Sequence, residues 1–418
     1  MHPLRFLFID FNSYFASVEQ QLKPDLRGEP LIVVPVMTDA TSAIAASYEA
    51  KALGIKTGTP VYEAKRICKN LKIIEADHQH YVRFHDMLHD IVHRIIPVSF
   101  VASIDEFGSE LKGDEREKEN AIEIAHLIKT AIAKEAGKYI RCSVGIAPNR
   151  YLAKVACDLQ KPDGLTVIEH QDLPHKLMHL KPRDLPGIGY NMEQRLLQSG
   201  IQTFQDIWKL EPKHMRRIWH SVSGEQLYYR LRGIEIPEGE TSKSTVGHSH
   251  VLAPQWRPID AAHIVAQRLT LKAASRLRRM QYHARYFDLS VRIEHGQRIA
   301  YRAEFAPAAD SMHFMRALDT LWQQLLLEMK PTHLKKINVT LHGLQADSAL
   351  QPTLFDALEA GKPQHPDRLT KASLAMDALN ARYGRDTVAM GFLPKTSSQF
   401  SGTKIAFSRV PEMAEFHE

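Results

Sequence analysis

The stretch VSFVASIDEF, Val98–Phe107, decides how this chain is read. Its apolar run has the composition of a buried strand, yet it ends on two adjacent carboxylates, Asp105 and Glu106. A second such run, FLFIDFNSYF at Phe6–Phe15, carries a third, Asp10. A buried carboxylate is costly unless something cationic or a proton compensates it. No Lys or Arg lies within four residues of the acid pair, so local ion pairing is absent. A distant cation, a protonated acid and a metal ion all remain open. Side chains alternate across a strand. Both acids of the pair can therefore serve one site only if the strand bends or ends there.

Outward from these runs, strands and helices alternate through the first 165 residues. Leu4–Asp10 reads as a strand and Ser13–Gln21 as a helix. EPLIVVPV is a second buried strand, SAIAASYEAKALGI (Ser42–Ile55) a helix, and TPVYEAKRIC a further helix after Pro60. Tyr81–Ile95 is helical, Val98–Ile104 a strand and Ala121–Ala136 a helix. YIRCSVGIA is then a strand and NRYLAKVACDLQKP a helix stopped by Pro162. The class is mixed α and β. Leu177 to Gly233 looks wholly helical, and IEIPEGETSKST has the composition of an exposed linker. A βαββαβ pattern follows: Ser244–Leu252, Asp260–Arg279, Ala284–Glu294, Arg298–Phe305, Ser311–Met329 and Lys335–His342. The last residues hold one helix, Asp367–Tyr383, in a polar and loosely packed setting.

The chain has 418 residues, too many for one core, so two to four domains are expected. No apolar run approaches a membrane span, and Asp10 interrupts the only N-terminal candidate for a signal peptide. Three cysteines without a CxxC pair point to a reducing cytoplasm. Thr241–Gln345 holds 15 Lys and Arg against seven Asp and Glu, a surplus larger than the whole chain's +6. Such concentration is how a polyanion-binding module looks, although a solvated face would look the same.

Acidic oxygens alone suit Mg²⁺, and two such ions can activate a hydroxyl and stabilise a leaving phosphate oxygen. At this point the residues become recognisable. FIDFNSYFASVE, SYEAKALGIKTGTP, SIDE and CSVGIAPNRYLAKVACDLQKPDG occur in that order. They resemble the Y-family, translesion DNA polymerases, most of all the DNA polymerase IV type. The resemblance implies an α+β right-hand fold. Its palm would be Met1–Ala16 with Asp77–Thr166, its fingers Ser17–Ala76 and its thumb Val167–Gly233. A linker, residues 234–242, would lead to a little finger at Lys243–Leu344 and a tail, residues 345–418.

The same resemblance implies roles. Asp10, Asp105 and Glu106 match the catalytic, metal-binding triad, with the Phe11 carbonyl as a further ligand. Phe15 falls on the steric gate that excludes a ribose 2′-hydroxyl, with Tyr14 beside it. Tyr48, Lys51 and Lys161 match contacts to the triphosphate of a dNTP. Lys51 stands where most polymerase IV relatives carry Arg; a point charge replaces a bidentate fork, and a polymerase V-like subtype stays open. In LPGIG, Gly187 and Gly189 would present backbone N–H groups to a DNA phosphate. Lys243, Arg276, Arg278 and Arg279 are the candidates for contacts to the duplex backbone. QPTLF (Gln351, Leu354, Phe355) resembles the peptide that docks on the bacterial sliding clamp. The function implied is template-directed, low-fidelity DNA synthesis without proofreading, by a monomer working on primer-template DNA. A catalytically silent DNA- and clamp-binding adaptor is the alternative, and a palm-domain nucleotidyl cyclase would share the acids alone. His85, His89 and His93 recur at zinc-ligand spacing but lack a Cys or Glu-x-x-His partner, and are read as a polar helix face.

Overall fold

The computed structural model describes residues 3–39, 41–237, 244–293, 296–349, 366–384, 387–388, 390 and 410–411. The chain divides into two compact units, the break falling between residues 238 and 239. No helix among the described residues is long and apolar enough to cross a membrane.

The first unit is built around β1 (Phe6–Phe11), every residue of which is buried. It leads into α1 (Tyr14–Leu22) through Ser13, whose φ of 49° is left-handed and turns the chain sharply. The next elements are β2 (Leu31–Val34), β3 (Ala45–Ala46), α2 (Tyr48–Ala52), α3 (Val61–Ile67) and β4 (Lys72–Glu75). They form a small separate sheet in the order β3-β2-β4. The chain returns through α4 (His78–Ile95), β5 (Phe100–Ser103), β6 (Glu106–Glu110), α5 (Lys118–Glu135), β7 (Cys142–Ala147), α6 (Arg150–Leu159) and β8 (Leu165–Val167). The main sheet runs β5-β6-β1-β7-β8, so the FLFIDF strand is its centre.

Both faces of that sheet are covered, which explains a strand apolar on both sides. Leu7, Ile9 and Phe11 share a core with α1, α4 and α5. Phe6 and Phe8 share another with α6 and the helices that follow. Those are α7 (Tyr190–Gln198), α8 (Phe204–Lys209), α9 (Pro212–Trp219) and α10 (Val222–Leu231), the all-helical segment the pattern predicts.

The second unit has the βαββαβ order: β9 (Thr245–Val251), α11 (Ile259–Arg279), β10 (Tyr282–Ile293), β11 (Arg298–Ala308), α12 (Ser311–Met329) and β12 (Leu334–His342). Its sheet runs β11-β10-β12-β9. Val246, Phe287, Leu289, Val291, Ile337 and Val339 face α11 and α12 in one core.

Three expectations need correction. Ser42–Ile55 is not one helix. Ala45–Ala46 pairs with Ile32 and Val33, and the helix starts only after Ser47, whose Oγ accepts from the Ala50 N–H at 3.3 Å. Sheet pairing outweighs the helix propensity of the alanines. Val98–Ile104 is half of a hairpin: β5 ends at Ser103 and an unforeseen strand, β6, begins at Glu106. The tail helix α13 (Pro366–Tyr383) is not loosely placed, because it packs on α11 and α12. Asp377 binds the buried Arg278, and the Ser373 hydroxyl accepts from the Ser311 N–H at 3.1 Å.

Candidate active site

The hairpin answers the question of alternation. The strand ends before the acids, Asp105 occupies the turn, and Glu106 starts β6 directly opposite Asp10 in the β1–β6 register. The Phe11 N–H donates to the Asp105 carbonyl at 2.9 Å, drawing the turn against β1. Ser103 Oγ donates to Asp105 Oδ1 at 2.5 Å and accepts from the Asp105 N–H at 3.3 Å. His85 contributes from α4, its Nδ1 lying 2.7 Å from the Ile104 carbonyl. His85 and His89 also set their ring edges on Phe107. The histidine stripe thus packs α4 against the acid-bearing hairpin. Among the described residues no three His, Cys, Asp or Glu side chains gather closely enough to hold a metal as they stand, the stripe included.

The acids are compensated from far along the chain. Lys161 Nζ lies 2.6 Å from Asp10 Oδ2 and 2.6 Å from Asp158 Oδ1. Lys154 Nζ donates to both oxygens of Glu106, at 2.8 and 3.0 Å. A window of four residues could not reveal partners 48 and 151 positions away, and distant cations are the compensation found in the structure. Positive charge is nevertheless short. Burial, with Asp105 and Glu106 adding to it, outweighs Lys161 and pushes the Asp10 carboxyl up to about 7. Burial likewise raises Asp105, with the Ser103 hydrogen bond opposing and the Glu106 charge assisting. An oxygen-only donor set in which burial holds two carboxyls, Asp10 and Asp105, above their usual range has the chemistry a hard dication completes.

Asp10, Asp105, Glu106, Phe15, Lys51 and Lys161 line one cleft of about 490 Å³. Phe15 stacks on Tyr81 with ring centroids 4.4 Å apart, and its partly exposed ring forms the wall. Tyr14 is buried behind it, its hydroxyl donating to the Tyr81 carbonyl at 2.7 Å. Also in the lining, Lys51 Nζ donates to Ser13 Oγ at 2.6 Å. Burial lowers the Lys51 pKa and the nearby Lys161 charge lowers it further. The Tyr48 hydroxyl, buried beside Ser13, has no hydrogen-bond partner of good geometry. Two mutually repelling ammonium groups lining the cleft, with an unsatisfied hydroxyl buried close by, describe a place for a polyanion.

Two further groups complete the inventory of the described residues. Gly187 has φ +88°, which demands glycine, whereas a Cβ at Gly189 would meet open space. Gly189, the cap of α7, leaves its backbone approachable from outside. In the second unit, Arg278 is withdrawn as a duplex contact. Its side chain is 2% exposed, forms a bidentate pair with Asp377 at 2.7 and 2.9 Å, and donates to the Ala309 carbonyl at 2.8 Å. Arg276 is half-buried and Arg279 exposed, both on α11. Lys243 and Gln351, Leu354 and Phe355 of QPTLF lie outside the described residues. The sheet face opposite the helices holds what helix-counting missed. Arg292 pairs in register with Lys336 on one side and Arg298 on the other, three exposed cations in a row. Like charges directly opposite one another are unfavourable without a counter-ion. The strand alternation Val291, Arg292, Ile293 was the available signal.

Comparison with known proteins gives consistent matches. The impB/mucB/samB family model covers residues 9–158, the thumb domain of DNA polymerase-iota residues 183–235, and the impB/mucB/samB C-terminal domain residues 243–354. DNA polymerase IV of Moorella thermoacetica is 31% identical over 398 residues, 91% of this chain and 94% of the relative. DNA polymerase IV of Bacillus velezensis is 28% identical, with 94% of each chain covered. Among solved structures, a Y-family DNA polymerase chimera of Dbh and Dpo4 matches with TM-score 0.70 at 25% identity, over 82% of this chain and 99% of that one. An insertion ternary complex of Dbh DNA polymerase matches with TM-score 0.54 at 26% identity, with the same coverage.

Proposed function

This chain belongs to the Y-family of translesion DNA polymerases, in its DNA polymerase IV type, and from that premise we propose how this DNA-directed DNA polymerase works and which residues carry the reaction. Its substrates are a primer-template duplex and a dNTP. The observation that carries the reading is the cleft, where two carboxylates from paired strands and a third from the adjoining turn share the lining with a partly exposed aromatic ring and two lysines.

Y-family polymerases use divalent metal ions, and Asp10, Asp105, Glu106 and the Phe11 carbonyl are the groups that would hold them here. When bound, two Mg²⁺ ions supply the charge that acidifies the primer 3′-hydroxyl and stabilises the leaving phosphate oxygen. The chain's own part is positioning and charge. Lys51 and Lys161 take the triphosphate, and the orphaned Tyr48 hydroxyl donates to one of its oxygens. As Lys161 turns from Asp10 to a phosphate, it frees that carboxylate, so substrate entry and site assembly are one exchange of ion pairs. Phe15, backed by Tyr81, fills the volume a 2′-hydroxyl needs. Beyond the end of α1, the fingers hold one five-residue helix, one seven-residue helix, a single short turn at Pro24–Leu26 and a three-stranded sheet. So small a lid presses weakly on the nascent base pair, which supports low fidelity and passage of damaged templates. Synthesis runs without proofreading.

The palm, fingers, thumb and little finger take the boundaries given above, the tail apart. The Gly187–Gly189 turn holds a phosphate through backbone N–H groups, and the Lys336–Arg292–Arg298 row holds the duplex without reading its sequence. Arg276 and Arg279, on α11, remain further candidates for contact with the duplex, and QPTLF docks a monomer on the sliding clamp. Primer extension tests the core of this reading. Wild type should extend, and Asp105→Ala should lose at least about 10³-fold in rate while binding duplex normally. Two inactive proteins that bind DNA equally would establish the adaptor instead. Deleting Gln351–Phe355 should remove stimulation by the clamp and leave basal synthesis intact.

A further inference from the structure

Asn12 stands two residues beyond Asp10 and is buried, yet no part of the reaction above uses it. Its backbone already has partners: the N–H donates to the Arg141 carbonyl at 2.9 Å and the carbonyl accepts from Ser17 Oγ at 2.8 Å. Its amide is spent elsewhere. Oδ1 accepts from the Asp163 N–H at 2.8 Å, and Nδ2 donates to Ser143 Oγ at 3.0 Å and to the Asp10 carbonyl at 3.3 Å. One side chain therefore joins β1 at the Asp10 backbone, β7 at Ser143, and the segment 161–164 that carries Lys161. Asp163 itself sits in the left-handed region, φ 57°, a conformation that needs holding. Lys129 grips the same segment from the other side. Its Nζ donates to the carbonyls of Cys142, Asp163 and Gly164 and to the Asp163 carboxylate, at 2.7 to 3.3 Å. The backbone two residues from the Lys161 ammonium is thus fixed from within and from without.

We propose that Asn12 is a positioning residue for nucleotide binding: by accepting the Asp163 N–H it fixes the Lys161 backbone relative to Asp10, so that the ammonium reaches either the carboxylate or an incoming phosphate by side-chain rotation alone. Lys129 supports the same placement. The inference rests on the reading of Lys161 as a triphosphate contact. It assigns a role to the oxygen of Asn12 rather than to its bulk. Asn12→Asp retains an acceptor for Asp163, and Asn12→Ala does not.

The test is a double-mutant cycle on dNTP affinity, titrated into enzyme bound to a primer-template whose primer ends in a dideoxynucleotide. Asn12→Ala should weaken dNTP binding about tenfold, and so should Lys161→Ala, while the double variant should be no weaker than Lys161→Ala alone. Asn12→Asp should restore most of the affinity. Lys129→Met should weaken binding in the same way and also lose its effect in the Lys161→Ala background, which keeps the test alive if Asn12→Ala folds poorly. Additive losses in the double variants, or an Asn12→Asp as weak as Asn12→Ala, overturn the positioning role. A Lys161→Ala protein with undiminished dNTP affinity overturns the phosphate contact first, and the inference with it.

Discussion

Each unit of this protein buries one member of an ion pair, Asp10 in the first and Arg278 in the second, and the two pairs are built to opposite ends. At Asp10 the partner is a lysine on a segment beside an open cleft, and the carboxyl is still held up at about 7 by burial. At Asp377 the partner is an arginine, bidentate, 2% exposed and further satisfied by the Ala309 carbonyl. A single ammonium can let go of one oxygen for another; a planar fork closed on both sides cannot. The first pair is an exchangeable one and the second is a rivet.

The largest effect expected from that contrast is on stability. Asp377→Ala leaves the 2% exposed Arg278 with only the Ala309 carbonyl, and removing one member of a buried pair so that a buried charge stays unpaired costs roughly 3–5 kcal/mol. Denaturation of the variant should show that loss, with dNTP kinetics unchanged in the folded fraction. Lys161→Met, at the other pair, should cost no more than about 1 kcal/mol because Asp10, already held up at about 7, takes a proton instead of staying charged and unpaired. Equal losses at the two pairs would erase the distinction.

The cleft's aromatic wall comes next in size. Phe15→Ala opens the space above Tyr81, and discrimination of dNTP over rNTP should fall by about 10²-fold, near 2.7 kcal/mol. The ratio of kcat/KM for the two sugars is the measurement. An unchanged ratio removes Phe15 from sugar selection and leaves it a core aromatic stacked on Tyr81.

A third effect follows from the sign of the Asp10 shift. The unfolded carboxyl titrates near ~3.9, whereas the folded one is held up at about 7 by burial. Between those values the folded protein keeps a proton that the unfolded chain has lost, so this group's contribution to stability declines as pH rises from about 4 to 7 and is flat above. Asp10→Asn keeps the shape without the titration. In chelator it should gain on wild type by roughly 4 kcal/mol between pH 4 and pH 8. A difference that does not move with pH would mean that Lys161 satisfies Asp10 fully, and the pair would then resemble the rivet.

How much of this the residues announced depends on distance along the chain. Asp10, Asp105 and Glu106 were legible because local composition marks a carboxylate in an apolar run, and the need for the strand to stop at the pair followed from its period of two. Their lysines were not legible, since Lys154 and Lys161 reach the acids only after β1, β6 and α6 have packed. Arg278 shows the converse error. It reads as a surface charge within a basic helix and becomes a buried one only because α13, nearly a hundred residues on, covers it. Ser42–Ile55 fails for the same reason at shorter range, its alanines claimed by a neighbouring strand.

The smallest effect concerns where the second unit keeps its free charge once Arg278 is set aside. Lys336, Arg292 and Arg298 stand side by side on the exposed face of the sheet, and the strand register leaves them no alternative spacing. Each phosphate neutralised contributes about −0.9 to the slope of log affinity against log salt. Changing all three to Gln should therefore flatten that slope by about 2.7, with extension at saturating duplex unchanged. Arg278→Met, in the fraction that folds, should leave the slope where it was. If instead Arg278 moves the slope and the triple variant does not, the arginine is not closed in solution, and the sheet face would lose its claim to the duplex.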